Sequence, residues 1–288
     1  MNLKFSSSHN NRKPESGILY IVGTPIGNLR DISLRALDIL KGASLILCED
    51  TRQTKKLLNK YEFTNNLLSF NQFNSSKKIP KIIDALLLGK SIALVSDAGM
   101  PSICDPGEDL IEEVKSKGLN VICIPGPCAA STALASSGFP SSKFVFEGFP
   151  PKKKIEREKL FLEISNNEKT TILYESPHRL KNLLIELKKH CGGKREVQVF
   201  RELTKKFEEH IGNDIDEVIN FFENKEVLGE ITVLIKGKIK PKKNSINDRS
   251  EIRKELLDLV NAGLSLSEAS KYLAKKKNLS KRDVYNTY

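Results

Sequence analysis

Short apolar runs recur along the first half of the chain, each bounded by glycine, proline or a polar cluster. Residues 18–22, 44–48, 92–95 and 121–124 are too short for helices and too continuous for half-exposed strands. That is the pattern of strands buried on both faces. The segments between them carry apolar residues at helical spacing. One starts at Asp31 or Ser33, either of which suits an N-cap, and turns Leu34, Leu37, Ile39 and Leu40 inward. Others are predicted over 54–60, over 79–88 (closed by Gly89) and over 109–117, with a short strand at 67–70. A small-residue helix over 129–137 ends at Gly138-Phe139-Pro140. Strand–helix repetition of this kind predicts a parallel sheet with helices on both faces.

A second α/β unit is predicted from about Lys143, with strands at 170–174, 196–201 and 231–236 and helices at 179–190 and 214–222. Three short helical patterns follow a Lys/Pro/Asn-rich stretch: 250–260, 265–275 and 280–288. Each begins at a serine suited to N-capping, and together they resemble a small helix-turn-helix module. The expected division is a flexible tail over 1–16, α/β domains over 17–138 and 139–237, a linker over 238–249 and a helical module over 250–288.

The composition is that of a globular protein, with 39% hydrophobic and 29% charged residues. No apolar run approaches the roughly 20 residues of a membrane span. The polar first residues lack the apolar centre of a secretion signal, so a cytoplasmic location and no membrane partner are expected. Five cysteines without a C-x-x-C spacing argue against a disulfide framework or a zinc site, and Cys48 and Cys123 sit in apolar runs as small hydrophobes. Four scattered histidines add no metal cluster, so no metal is expected. The formal net charge is +11, and residues 238–288 hold 13 Lys/Arg against six Asp/Glu. This asymmetry favours a polyanionic partner.

Chemistry concentrates at the strand ends. The run Ser96-Asp-Ala-Gly-Met-Pro-Ser-Ile-Cys-Asp-Pro-Gly107 spends twelve residues where a plain connection takes about two to six. Gly99 and Gly107 admit conformations closed to other residues, while Pro101 and Pro106 stiffen the turn. Gly23–Leu29, Glu49–Arg52 and Pro125–Ala130 end other strands of the same sheet, and four such loops at one edge make a pocket. None is a Rossmann fingerprint or a P-loop, and no nucleophile elbow occurs. In the second unit, Tyr174-Glu-Ser-Pro-His-Arg179 and Arg201-Glu-Leu-Thr-Lys-Lys206 set acids beside bases at strand ends. They suit either helix capping or a wall facing a polyanion.

Taken together, Gly23–Asp31, Glu49–Arg52, Ser96–Gly107, Pro125–Ala130, Tyr174–Arg179 and Arg201–Lys205 resemble the ribosomal RNA small subunit methyltransferase I family, of the tetrapyrrole-methylase fold class. The resemblance runs from about residue 17 to 237, and the helical tail is similar to that family's C-terminal module. It implies two α/β domains of that type with a cleft between them, usually as a homodimer. It also implies S-adenosyl-L-methionine as donor and the 2′-hydroxyl of a decoding-region cytidine in 16S rRNA, free or in the small ribosomal subunit, as acceptor.

By motif position the donor would meet Pro25, Gly99, Met100, Ile103, Cys128 and Ala129, with Leu173 or Tyr174 and Thr232 opposite; Asp97 either touches it or braces its loop. Glu49, Asp50, Asp97 and Glu175 are the candidate proton acceptors. Arg52, His178, Arg201 and Lys205 are the candidate grips for phosphate. The chain departs from the family pattern at Met100, where Thr is common, and at Cys104, where Ser is common. Phe70–Asn74 also replaces a His-rich segment. Two other functions fit the same features: methylation of a corrin or porphyrin, or RNA binding in ribosome assembly without catalysis.

Overall fold

The computed structural model describes residues 13–239, 245–277 and 279–288. Most of the expected N-terminal tail, residues 1–12, lies outside the described residues, as do 240–244 of the expected linker. The chain forms one compact unit through Lys238 and a second over Ile239–Tyr288.

In the first unit β1 (Ile18–Val22), α1 (Leu34–Gly42), β2 (Leu45–Cys48), α2 (Thr51–Lys60) and β3 (Leu67–Ser69) come first. They are followed by α3 (Ser75–Leu87), β4 (Ile92–Val95), α4 (Glu108–Ser116), β5 (Asn120–Ile124) and α5 (Ala129–Ser137). The five strands form a wholly parallel sheet in the order β3-β2-β4-β1-β5, as the alternating pattern predicts. Alternate residues of β1 serve opposite faces: Ile18, Tyr20 and Val22 pack with α1 and α2, Leu19 and Ile21 with α3 and α4. Burial on both faces is what makes these strands read as unbroken apolar runs.

Some boundaries move. Ser33 caps α1 by accepting from the Ala36 N–H at 3.1 Å, whereas Asp31 lies in a short 3-10 turn and Leu34 faces solvent. Asp50 caps α2 three residues earlier than expected, so Thr51 and Arg52 are helical. Helix α3 begins at Ser75 and keeps Pro80 inside it. Cys48 is buried, but Cys123 on the edge strand β5 is exposed.

The rest of this unit comprises β6 (Phe144–Gly148), α6 (Lys154–Asn166), β7 (Thr170–Glu175), α7 (Pro177–Cys191) and β8 (Glu196–Arg201), then β9 (Glu209–Asp214), α8 (Ile215–Phe222) and β10 (Ile231–Ile235). Their sheet has the order β6-β7-β10-β8-β9, and only its β6–β7 pair is parallel. Elements β6, α6 and β9 add to those read from the sequence. One face of this sheet packs Leu173, Val197, Val199 and Val233 against α6, α7 and α8. The other brings Ile172, Tyr174, Phe200 and Leu234 to α5 and to Ile26 beyond β1. That second core joins the two sheets.

The C-terminal unit holds α9 (Ser245–Asn261), α10 (Leu266–Lys277) and α11 (Lys281–Tyr285) around Leu256, Ala269, Leu273 and Val284. Ser265 and Glu268 form a capping box, and Ser280 caps α11. Ser250 is not a cap; it lies within α9.

Candidate active site

A cavity of about 410 Å³ opens between the C-terminal edge of the first sheet and the joining face of the second. Its walls are the 96–107 loop, the start of α5, the end of β7 and the start of β10. Strand ends place the loops there, and backbone hydrogen bonds fix them. Thr24 and Gly99 exchange N–H···O bonds of 2.8 and 3.1 Å, and the Thr24 hydroxyl donates to the Ser96 carbonyl at 3.1 Å. A Cβ on Gly23 would lie 2.6 Å from the Gly126 Cα and 2.6 Å from the Met100 sulfur. Only a residue without a side chain lets these three loops meet. Ser102 and Cys104 have φ of 68° and 65°, and Glu202 and Thr204 have φ of 54° and 65°, so strained non-glycine backbone occurs in the 96–107 loop and in the loop after β8.

Of the expected donor contacts, Asp97, Gly99, Met100, Ile103, Cys128, Ala129, Tyr174 and Thr232 line the cavity. Pro25 is buried and does not line the cavity, whereas its neighbour Ile26 does. Leu173 is excluded by strand alternation: its side chain packs in the core on the far face, leaving Tyr174 to face the cavity. The Tyr174 hydroxyl accepts from the Ala130 N–H at 3.1 Å, and burial raises its pKa.

The expected proton acceptors divide. Glu175 touches the cavity, but its carboxylate is fully buried and held by arginines. It accepts from the Ser176 N–H at 2.9 Å, pairs with Arg179 at 3.3 Å and lies 3.6 Å from Arg157. Arg157 in turn binds Glu186 at 2.7 Å. Such a network fixes the end of β7 and leaves Glu175 no access to a substrate proton. Asp50 caps α2 and is gripped by Arg52 at 2.6 Å, which holds its pKa near 2. Glu49 and Asp97 are both pushed upward, chiefly by burial. Asp105, which sequence reasoning did not single out as an acceptor, lines the cavity and is raised to about 6 by burial first and then by the charge of Glu49.

The expected phosphate grips are mostly occupied. Lys205 bridges Glu202 and Glu230, each at 2.8 Å, and Arg201 binds Glu209 at 2.8 Å. Arg52 is paired with Asp50 but exposed, and His178 is exposed on the first turn of α7. None of the four lines the cavity. Among the described residues no group of His, Cys, Asp and Glu is arranged to hold a metal, and no helix is long and apolar enough to cross a membrane.

Comparison with known proteins decides the family. A profile of the Tetrapyrrole (Corrin/Porphyrin) Methylases matches residues 18–219. Ribosomal RNA small subunit methyltransferase I of Thermotoga maritima is 49% identical over 222 residues, 77% of this chain and 99% of that one. The Bacillus subtilis protein of the same name is 40% identical over 285 residues, 96% of each chain. The chain belongs to the ribosomal RNA small subunit methyltransferase I family. It is thus a methyltransferase of the tetrapyrrole-methylase class, as its loop motifs indicate. The fold agrees: cobalt precorrin-4 methyltransferase superposes with a TM-score of 0.59 at 17% identity, covering 76% of this chain and 95% of that one. Uroporphyrin-III-C-methyltransferase of Thermus thermophilus gives 0.55 at 16% identity, covering 76% and 94%.

Proposed function

We propose that the cavity binds S-adenosyl-L-methionine and that the enzyme methylates the 2′-hydroxyl of a decoding-region cytidine in 16S rRNA. The observation that carries this reading is a mainly apolar cavity edged by carboxylates, in a chain so similar to small-subunit rRNA methyltransferases. The residues present fit the donor. Ile26, Met100, Ile103, Phe200 and Leu203 offer apolar surface to an adenosyl group, and Asp97 and Asp105 suit its hydroxyls and positive charge.

When bound, the donor supplies an electrophilic methyl on a positively charged sulfur. The protein's first task is to hold the acceptor hydroxyl in line with it, and orientation of this kind lowers barriers by up to about 7–11 kcal/mol. The pinned pair Thr24–Gly99 and the packed Gly23–Gly126 contact provide a rigid frame. The second task is to accept the hydroxyl proton. Asp105 is the group suited to it: it faces the cavity, is free of any cationic partner among the described residues and titrates near 6.

The resemblance also supports a homodimer, which sedimentation would show as twice the chain mass, and work beside the ribosome in the cytoplasm. Small subunits from a strain lacking this gene, incubated with the enzyme and methyl-labelled donor, should acquire label in their RNA. Label entering a corrin or porphyrin would replace this reading with tetrapyrrole methylation. RNA binding without any transfer would replace it with a non-catalytic assembly role.

A further inference from the structure

Phe149 follows β6 and lines the cavity, yet 56% of its surface is exposed. Tyr174 meets its ring edge-on, with centroids 5.6 Å and planes 61° apart, and Phe146 backs Tyr174 at 5.0 Å. The backbone sets this position. The β6–β7 register shifts between Phe146 and Gly148, and Gly148 takes φ +62°. A Cβ there would come within 2.8 Å of the Cys104 sulfur, so glycine lets the strand end lie against the 96–107 loop. The ring is therefore held in place at the rim, with a free aromatic surface beside the donor cavity.

Three to five residues further along the chain come Lys152, Lys153 and Lys154, all exposed, at the start of α6. A helix N-terminus disfavours cations, so the helix dipole does not account for three lysines there. Lys153 pairs with Glu156 at 3.2 Å; Lys152 and Lys154 make no ion pair among the described residues. An aromatic face beside unpaired cations matches the way proteins hold single-stranded nucleic acid.

We propose that Phe149 is the stacking platform for the base of the acceptor nucleotide, and that Lys152 and Lys154 bind its flanking phosphates. This rests on the RNA-methylation reading above. The alternative use of the ring, under the adenine of the donor, leaves the lysines without a role, because S-adenosyl-L-methionine carries no phosphate.

The test compares Phe149→Ala, Phe149→Trp and the double variant Lys152→Gln/Lys154→Gln. Donor affinity is measured by calorimetry with S-adenosyl-L-methionine, and methyl transfer to small subunits is followed over a range of salt. Phe149→Ala should lower kcat/KM for the subunit by about 5- to 150-fold, the loss expected for one base–aromatic stack, with a much smaller effect on donor affinity. Phe149→Trp should restore transfer, which a merely folding-defective site would not show. The lysine variant should flatten the salt dependence of RNA affinity by a slope of about 1.5. Weaker donor binding with intact RNA affinity in Phe149→Ala would overturn the proposal, as would wild-type transfer in that variant. A wild-type enzyme that never labels RNA fails before any variant is compared, and overturns the parent reading and this one together.

Discussion

The backbone N–H of Asp50 donates to the Asp97 carboxylate at 3.1 Å, tying the start of α2 to the loop after β4. The contact suits Asp97 to bracing its loop, although its side chain also lines the cavity. Asp97→Asn keeps an acceptor oxygen, whereas Asp97→Ala leaves the Asp50 N–H without one. Donor affinity should fall about tenfold in the alanine variant, the scale of one charge-assisted hydrogen bond, and much less in the asparagine variant. Equal losses in both, measured by calorimetry, would show that the charge itself grips the donor.

Asp105 should link activity to pH. With its pKa at about 6, the proton-accepting form is lost as pH falls through that value, so the transfer rate should decline below pH 6. Asp105→Asn should slow single-turnover transfer at saturating donor by about 10²- to 10⁴-fold.

The same shift has an opposite consequence for stability. The folded-state pKa lies above the ordinary aspartate value of 3.8, so the folded protein binds more protons between those two values. The stability that protonation confers is fully present below 3.8 and is lost as pH rises through about 6. Asp105→Asn should therefore melt above wild type at pH 7.5, with the gap closing as pH falls toward 4. A variant that melts below wild type at pH 7.5 would contradict this environment.

Glu175 should prove structural. It is fully buried between Arg157 and Arg179, and its removal leaves Arg157, itself largely buried, with Glu186 alone. Breaking a buried pair of this kind costs about 3–5 kcal/mol. Urea unfolding of Glu175→Ala should show a loss of that order, and Arg157→Ala combined with it should cost less than the two separate losses together. Unchanged stability with abolished transfer would instead make Glu175 catalytic.

The basic C-terminal unit should add RNA affinity. Removing residues 239–288 should weaken RNA binding and reduce its salt dependence while donor affinity stays constant. Unaltered RNA affinity in filter binding would deny the tail this role.

The parallel sheet was legible because its strands are buried on both faces and carry unbroken apolar runs. Helix α6 was not, because Arg157 occupies its inner face and interrupts the apolar stripe. Strand β9 escaped for the opposite reason: it is a sheet edge, and Glu209–Asp214 is mostly polar. The loops that wall the cavity could be read from glycine- and proline-rich strand ends. The acid–base assignment could not, since Glu175, Lys205 and Asp50 lose their freedom to partners supplied by the fold. Asp105 acquires its raised pKa from burial and from Glu49, which lies distant in sequence. Phe149 was hidden with the strand that presents it.

Transfer to a ribose oxygen of small-subunit RNA can be read by mass spectrometry of nucleosides digested from subunits treated with enzyme and heavy-methyl S-adenosyl-L-methionine. Ribose methylation gives one labelled nucleoside, cytidine carrying the heavy methyl on its 2′-oxygen. A heavy methyl on the base, or none in the RNA, would contradict it.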